Sequence, residues 1–288
     1  MMKNMLTVDG NTFLQLPVID TSVAVEICDI TPEIFQSIKD RLNKLYGEVQ
    51  LVADGKSAML SQLDGAKVIS VPSQRDFAKQ RYNAIDALRV TSRLTRDGDG
   101  CPWDRAQTHD SIRINMIEEA YEAVDAIDKR DVPNMREEFG DVFLQSILQS
   151  DISRRAGEFD FNDVCDELCK KLIGRHTFIF GEDNAGNADE ALTLWEKAKA
   201  TEKNYNTVGT QLKKLPDTFP ALLLAQKTYK KLKKAGYVSD ASAELDKAIE
   251  NKDYTAAIYA LVGLLAESGL DAEVELNKSV KAKIADIK

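Results

Sequence analysis

The residues best suited to chemistry are two short runs of carboxylates between residues 117 and 145. Glu119 and Glu122 are three residues apart and therefore share one face of a helix, with Glu118 beside them. The second run repeats this spacing with Glu138 and Asp141. Two unit charges ~6 Å apart repel by roughly 3 kcal/mol at an effective dielectric of ~20. Facing carboxylates must therefore be protonated, stay solvated or bind a hard cation, and an all-oxygen ligand set favours Mg²⁺ or Mn²⁺.

The two runs lie on helices that the sequence predicts to pack antiparallel. The short break Asp131-Val132-Pro133 separates them, and Pro133 suits the first turn of a helix. Gly140 costs about 1 kcal/mol relative to Ala inside a helix, which predicts that another backbone or a ligand approaches it. Apolar residues cover much of the second helix and predict that it is buried: Phe139, Val142, Phe143, Ile147 and Leu148.

Three segments together resemble the MazG nucleoside triphosphate pyrophosphohydrolases. The acidic runs Glu118-Glu119-Ala120-Tyr121-Glu122 and Glu138-Phe139-Gly140-Asp141 resemble the paired acidic signature of that family. The upstream residues 100–109, GCPWDRAQTH, and the downstream residues 170–176, KKLIGRH, resemble two further elements of it. The resemblance covers roughly residues 83–205 and implies a mainly α protein with a four-helix-bundle core.

The resemblance also implies a reaction and its residues. A nucleoside triphosphate and water would give a nucleoside monophosphate and pyrophosphate, in a house-cleaning role toward non-canonical nucleotides. Metal ions, Mg²⁺ or Mn²⁺, would be held by Glu119, Glu122, Glu138 and Asp141, with Glu118 orienting the attacking water or a ligand.

Nucleotide-binding residues follow from the same resemblance: Trp103, Asp104, Gln107, Lys171, Arg175, Trp195 and Lys199. Each has an ordinary alternative. Trp103 can close the end of the bundle, and Lys171 and Arg175 can complement the dipole of a helix C-terminus. Trp195 can be a core residue and Lys199 a solvated charge. The family usually has an Arg and a Pro where this chain has Gly174 and Thr177, which changes the phosphate-binding pattern.

The chain is predicted to have three parts. Residues 1–80 form a small α/β segment, with a helix that starts at Thr31-Pro32-Glu33 and ends at Gly47. Residues 81–205 form the MazG-like domain, and residues 206–288 resemble a degenerate second MazG repeat. The first part resembles a relic of the C-terminal half of a tetrapyrrole methylase. Strands are expected at 23–27, 48–53 and 67–71.

Composition limits the other functional classes. The net charge is −9, which argues against nucleic acid as the main partner. No apolar run is long enough for a membrane span, and no signal-peptide core is evident, so we expect a soluble cytoplasmic protein. Cys165 and Cys169, one helical turn apart, are expected to pack in the core rather than to bind zinc. The resemblance implies a homodimer.

Two other readings remain. A di-iron carboxylate bundle would need Glu-x-x-His pairs, and neither His109 nor His176 follows a Glu by three residues. A non-catalytic nucleotide sensor or scaffold is the alternative from a different functional class, although it gives no reason for a complete acidic set.

Overall fold

A computed structural model describes residues 5–75, 77, 79–203, 207–238 and 240–287. The chain divides into two compact units, Met1–Glu167 and Leu168–Lys288. The boundary between them falls inside one helix, Phe161–Arg175. The division into three parts at residues 80 and 205 stays a prediction. Helices predominate over a small N-terminal sheet, as the mainly α prediction required.

The first unit begins with a five-stranded sheet in the order β1-β2-β5-β3-β4. Only β1 and β2 pair in parallel, and the other pairs are antiparallel. The elements of this segment are β1 (Met5–Asp9), α1 (Gly10–Gln15), β2 (Ala24–Cys28), α2 (Pro32–Tyr46), β3 (Gln50–Ala53), β4 (Lys56–Met59), a 3-10 turn (Leu60–Gln62) and β5 (Ile69–Val71). Each of the three predicted strands is confirmed within two residues, whereas β1 and β4 were not predicted.

Helix α2 supplies one side of the N-terminal core. Thr31 precedes it, Pro32 opens it, and Gly47 ends it with a φ of +68°, a conformation that favours glycine. Ile38 and Leu42 lie one turn apart on its buried face. They pack with the inward residues of the strands, which alternate along β3 as buried Leu51 and Ala53 between exposed neighbours.

The sheet is joined to the next helix by a buried ion pair. Helix α3 (Ala84–Leu94) carries Asp86, which is buried in its first turn. The Lys79 ammonium donates to Asp86 at 2.7 Å and to the hydroxyl of Thr21, which precedes β2, at 2.6 Å. Arg89 donates to the same carboxylate at 3.2 Å. A buried carboxylate with this many donors fixes the start of α3 against the N-terminal segment.

The acidic helices follow two short helical turns. These are α4 (Pro102–Ala106) and α5 (His109–Ile112), and the long helices are α6 (Asn115–Lys129) and α7 (Val132–Ala156). Helix α6 packs against α7, and α3 also packs against α7. Arg130 ends α6 in the left-handed conformation, and Asp131 caps α7 by accepting from the backbone N–H of Asn134. This tight connection is the antiparallel hairpin that the break at Pro133 predicted.

Helix α8 (Phe161–Arg175) leads from the first unit into the second. The second unit continues with α9 (Thr177–Phe180), α10 (Ala188–Glu202), α11 (Val208–Leu212), α12 (Ala221–Lys234), α13 (Ala241–Glu250), α14 (Tyr254–Glu267) and α15 (Ala272–Ala285). Helix α14 packs against α12 and α13, and the ring of Tyr229 lies against Gly263, where any side chain would collide with it.

No single described helix has the length and apolarity of a membrane span. Helices α14 and α15 meet that test only as a pair, and they are bent by 103° at the break between them.

Candidate metal centre and nucleotide-binding residues

The hairpin of α6 and α7 brings the two acidic runs together. Glu119 and Glu122 lie on successive turns of α6, and Glu138 lies on α7, two turns after its start. Each of the three carboxylates offers an oxygen, and these oxygens lie within 4.8 Å of one another. This distance suits oxygen ligands around one hard cation, which bind at about 2.0–2.6 Å from the ion. Glu119, Glu122 and Glu138 can therefore hold a metal ion.

The electrostatics of the group agree with a cation site. The pKa of Glu119 is raised above its ordinary value of 4.5 by partial burial and by the charges of Asp141 and Glu122. The pKa of Glu138 is raised by desolvation, by Glu122 and by Asp141. Both carboxyls thus hold their protons more tightly than in solution, because desolvation and then the like charges of their neighbours disfavour the ionised form. A divalent cation would remove this cost, which is the fit expected of a metal-binding donor set.

Asp141 and Glu118 lie at the edge of the triad. Asp141 acts electrostatically on both Glu119 and Glu138, so it belongs to the same acidic cluster, although it is outside the group that can hold one ion together. Glu118 is exposed and has a smaller effect on Glu119. The amide of Gln145, buried one turn beyond Asp141, donates to Glu119 at 3.5 Å. Gln145 therefore helps to orient a carboxylate.

Two expectations about α7 need correction. Phe139 is 51% exposed and Val142 is also exposed, so only the second half of the helix, with Ile147 and Leu148, is buried as predicted. No described atom lies within 4 Å of the point where a side chain at Gly140 would begin. The expected approach of another backbone to Gly140 is therefore absent from the described part of the chain, and the approach of a ligand stays a prediction.

The segment 101–109 is fixed to the second half of α7. Arg155 donates to the backbone carbonyl of Arg105 at 2.9 Å and to that of Gln107 at 3.5 Å. The ring of His109 contacts the side chains of Gln149 and Ser153. His109 therefore helps to hold this segment on α7. The contact made by Arg155 was not predicted, because the carbonyls that it binds lie about fifty residues away in the sequence.

The side chains of residues 101–109 differ in how far they are open to a ligand. Trp103 is 60% exposed, which rules out its alternative role as a plug for the end of the bundle. Gln107 is engaged locally, since its amide donates to the carbonyl of Trp103 at 2.7 Å and accepts from Ser111 at 2.8 Å. Asp104 is half-buried in α4. The indole face of Trp103 is thus the part of the segment most open to a ligand.

The remaining predicted nucleotide-binding residues lie in the second unit. Arg175 is buried at the end of α8 and pairs with Glu202 through two hydrogen bonds, at 2.7 and 3.0 Å. This pairing lowers the pKa of Glu202 to about 2. The guanidinium of Arg175 and the ammonium of Lys199 lie over the ring of Trp195, at 5.2 and 4.8 Å from its centroid.

These contacts bear on whether Trp195 is a core residue and whether Lys199 is a solvated charge. Trp195 is half-buried and its ring contacts two cations, so it is not simply an apolar core residue. Lys199 is half-buried, and burial and the charge of Arg175 lower its pKa. Lys171, four residues before Arg175, is exposed on α8. The two cysteines of α8, Cys165 and Cys169, are also exposed, so the expectation that they pack in the core was wrong.

Comparison with known proteins assigns this chain to a family. A helical hairpin with facing carboxylates is typical of helical proteins that bind divalent cations. A family model described as the MazG nucleotide pyrophosphohydrolase domain matches residues 107–180.

Among curated relatives, the nucleoside triphosphate pyrophosphohydrolase of Escherichia coli K12 is 32% identical over 218 residues, covering 68% of this chain and 83% of that protein. The nucleoside triphosphate pyrophosphohydrolase/pyrophosphatase MazG of Thermotoga maritima is 31% identical over 201 residues, covering 65% of this chain and 77% of that protein.

A crystal structure of a MazG-related protein from Thermotoga maritima is 24% identical and covers 40% of this chain and 97% of that chain. Its TM-score of 0.36 is too low to bear on the fold. The family assignment therefore depends on the sequence relatives and on the matched domain. The chain belongs to the MazG nucleotide pyrophosphohydrolase family.

Proposed function

We propose that this protein is a divalent-metal-dependent nucleoside triphosphate pyrophosphohydrolase that releases a nucleoside monophosphate and pyrophosphate. The observation that carries the proposal is the group of three carboxylates, Glu119, Glu122 and Glu138, with oxygens within 4.8 Å of one another. Its place within the matched MazG domain supports the same reaction. The relatives in Escherichia coli and Thermotoga maritima are named as nucleoside triphosphate pyrophosphohydrolases, which supports this class of reaction.

The donor set favours Mg²⁺, with Mn²⁺ as a substitute, because every ligand is an oxygen and none is a thiolate or imidazole. When bound, the ion supplies a Lewis acid for the triphosphate and lowers the pKa of a coordinated water. Asp141 extends the acidic cluster and is proposed as a further ligand. Gln145 holds Glu119 in place through its amide. Glu118, exposed beside Glu119, is proposed to orient the attacking water.

Nucleotide recognition is assigned to side chains outside the acidic cluster. Trp103 offers an exposed indole on which a base can stack. Asp104 and Gln107 are proposed to contact the base or sugar, although Gln107 must first give up its local hydrogen bonds. Lys171 and Arg175 are proposed to contact phosphates, and Trp195 and Lys199 are proposed to contact the nucleotide. The substrates are proposed to be non-canonical nucleotides in a house-cleaning role.

The homodimer that the resemblance implies has support on the surface of the hairpin. Ile117, Tyr121 and Val124 follow a helical stripe on α6 and are all exposed, and Phe139 and Val142 are exposed on α7. Apolar stripes of this kind are typical of interfaces between helices. A second copy of the chain, packing its own hairpin against this one, is the proposed partner.

The test is a product analysis with a panel of nucleoside triphosphates and Mg²⁺. The expected products are a monophosphate and pyrophosphate in equal amounts, and the reaction should stop when the metal is chelated. A diphosphate with orthophosphate, or turnover that persists in chelator, would contradict the proposal. Nucleotide binding without any turnover would support a sensor instead.

A further inference from the structure

Gln145 is a buried polar residue whose amide nitrogen has a partner, whereas its amide oxygen has none among the described residues. The residue is 6% exposed and lies one turn beyond Asp141 on α7. Its nitrogen donates to the carboxylate of Glu119 at 3.5 Å. Its oxygen is enclosed and accepts no hydrogen bond from any residue that the structure describes. Buried acceptors in folded proteins are nearly always paired, so this oxygen calls for a donor from outside the chain.

The carboxylate of Glu119 fixes which way the amide of Gln145 points. With the nitrogen toward Glu119, a donor meets an acceptor. The opposite orientation would bring two acceptor oxygens together. Because the nitrogen and the oxygen are bonded to the same carbon, the unpaired oxygen also lies beside the acidic cluster.

The chemistry of the neighbouring carboxylates indicates what the donor is. Glu119, Glu122 and Glu138 each offer one oxygen to a cation, and these oxygens lie within 4.8 Å of one another. Mg²⁺ has octahedral coordination and usually keeps several of its waters in a protein site. A cation held by three carboxylate oxygens therefore carries water at its other positions, and such a water needs acceptors for its two hydrogens.

We propose that the amide oxygen of Gln145 accepts a hydrogen bond from a water on the cation that the three carboxylates hold. Gln145 is then a positioning residue with two contacts, because its nitrogen orients Glu119 and its oxygen orients the water. The inference rests on the proposed function for the presence of the cation. A hydroxyl of the nucleotide is the other donor that the proposed reaction could supply, and a measurement without nucleotide separates the two.

The test uses Mn²⁺ alone with the full-length protein. Electron paramagnetic resonance measures the free Mn²⁺ and gives the dissociation constant. Nuclear magnetic relaxation of the water oxygen gives the residence time of the slowest water on the bound ion. Gln145→Met replaces the amide with an apolar side chain of similar length. It should weaken Mn²⁺ binding by about tenfold or more and shorten that residence time by about fivefold.

The matched control makes the same substitution one turn further along α7. Gln149 contacts the ring of His109, so Gln149→Met should leave the affinity and the residence time within about twofold of the parent. Equal losses in Gln149→Met and Gln145→Met would indicate a general loosening of α7 and overturn the proposal. Unchanged values in Gln145→Met would overturn it as well.

Gln145→Glu separates the role of the oxygen from that of the nitrogen. This variant keeps an acceptor oxygen and loses the N–H group, so its residence time should stay near that of the parent. Equal shortening in Gln145→Glu and Gln145→Met would reduce Gln145 to a donor for Glu119 and contradict the proposal. Thermal melts in chelator check folding. If Gln145→Met melts far below the parent, the smaller apolar variant Gln145→Leu takes its place.

The outcome is distinct from that of the proposed reaction. A bound water that depends on Gln145, without pyrophosphate release from any nucleotide, would support the inference and contradict the proposed activity. Pyrophosphate release by a protein whose bound water does not depend on Gln145 would do the opposite. If Mn²⁺ does not bind to the parent, both are overturned.

Discussion

Glu122 of α6 and Glu138 of α7 face each other across the helical hairpin, with carboxylate oxygens within 4.8 Å. Both also lie near Glu119, and desolvation and mutual repulsion raise the pKa of Glu119 and of Glu138. The arrangement costs free energy when nothing positive lies between the carboxylates. This cost links the stability of the hairpin to metal binding, and it makes the proposed site open to tests that do not depend on turnover.

Replacing single acids should separate stability from catalysis. Glu122→Gln and Asp141→Asn are each expected to reduce hydrolysis by at least about a hundredfold, because each removes a charge on which metal binding depends. Without Mg²⁺, both variants should melt at the same temperature as the parent or higher, because repulsion is relieved. The measurements are initial rates and thermal melts in chelator. Near-normal turnover in both variants would mean that the site is elsewhere.

Stability of the metal-free protein should depend on pH through the same carboxylates. The folded-state pKa values of Glu119 and Glu138 lie above the ordinary 4.5, so the folded chain binds these protons more tightly than the unfolded chain. Their contribution to stability is complete below about pH 4.5 and is lost as the pH rises through the raised values. Carboxyls with lowered pKa values, such as Glu202, act with the opposite sign at lower pH.

The comparison between variants isolates the effect. The difference in melting temperature between Glu122→Gln and the parent, in chelator, should grow as the pH rises from about 4.5 to neutrality. Saturating Mg²⁺ should stabilise the parent more than the variant across that range. A difference that stays constant with pH would show that Glu122 does not interact with its neighbours as the geometry indicates.

Gly140 offers a test of ligand approach. No described atom is near its absent side chain, so Gly140→Ala should stabilise α7 by about 0.5–1 kcal/mol through helix propensity. We also expect Gly140→Ala to raise KM for the nucleotide, because residue 140 lies between Glu138 and Asp141. A stabilised Gly140→Ala protein with unchanged KM would leave the glycine without a role at the site.

Lys171 and Arg175, two of the basic residues of α8, should behave differently. Lys171→Ala, on the exposed surface, should raise KM for the nucleotide and leave the Mg²⁺ half-saturation point unchanged. Arg175→Ala should in addition lower the melting temperature by several degrees, because it leaves Glu202 without its bidentate partner. Unchanged KM in Lys171→Ala would identify that residue as an ordinary charge at a helix end.

The sequence predicted those parts of the site that depend on local spacing. Glu119 and Glu122 are three residues apart on α6, and the break at Pro133 implied a hairpin, so their meeting with Glu138 followed from helical geometry. The role of Asp141 as a metal ligand stays a prediction. Contacts that join distant positions left no periodic signal. Arg175 binds Glu202, and Arg155 holds the carbonyl of Arg105. Neither pairing could be read from spacing along one element.

Burial was the least predictable property. The pattern of α7 predicted a buried helix, yet Phe139 and Val142 are exposed, and so are Leu168 and Leu172 of α8. An apolar stripe indicates that a face will be covered, but it does not say whether the cover comes from the same chain or from another copy. The strand β4 was missed because Lys56 and Ser57 lack the apolar alternation of a half-buried strand.

Residues 206–288, which the sequence predicts to be a degenerate repeat, should carry no second catalytic centre. Within the described residues, the only acidic group that can hold a metal ion is Glu119 with Glu122 and Glu138. The full-length protein with Glu119→Ala and Glu122→Ala should therefore release no pyrophosphate above background, while its second unit still folds. Residual metal-dependent turnover in that variant would locate chemistry outside the hairpin.

The position at which water attacks the nucleotide tests the central claim most directly. Hydrolysis of a nucleoside triphosphate with Mg²⁺ in water labelled with heavy oxygen, analysed by mass spectrometry, shows which product carries the new oxygen. Attack at the α-phosphorus by the centre built on Glu119, Glu122 and Glu138 predicts label in the monophosphate and unlabelled pyrophosphate, and no product in the Glu122→Gln variant. Label in pyrophosphate or in orthophosphate, or label in the monophosphate at the parent rate in that variant, would contradict it.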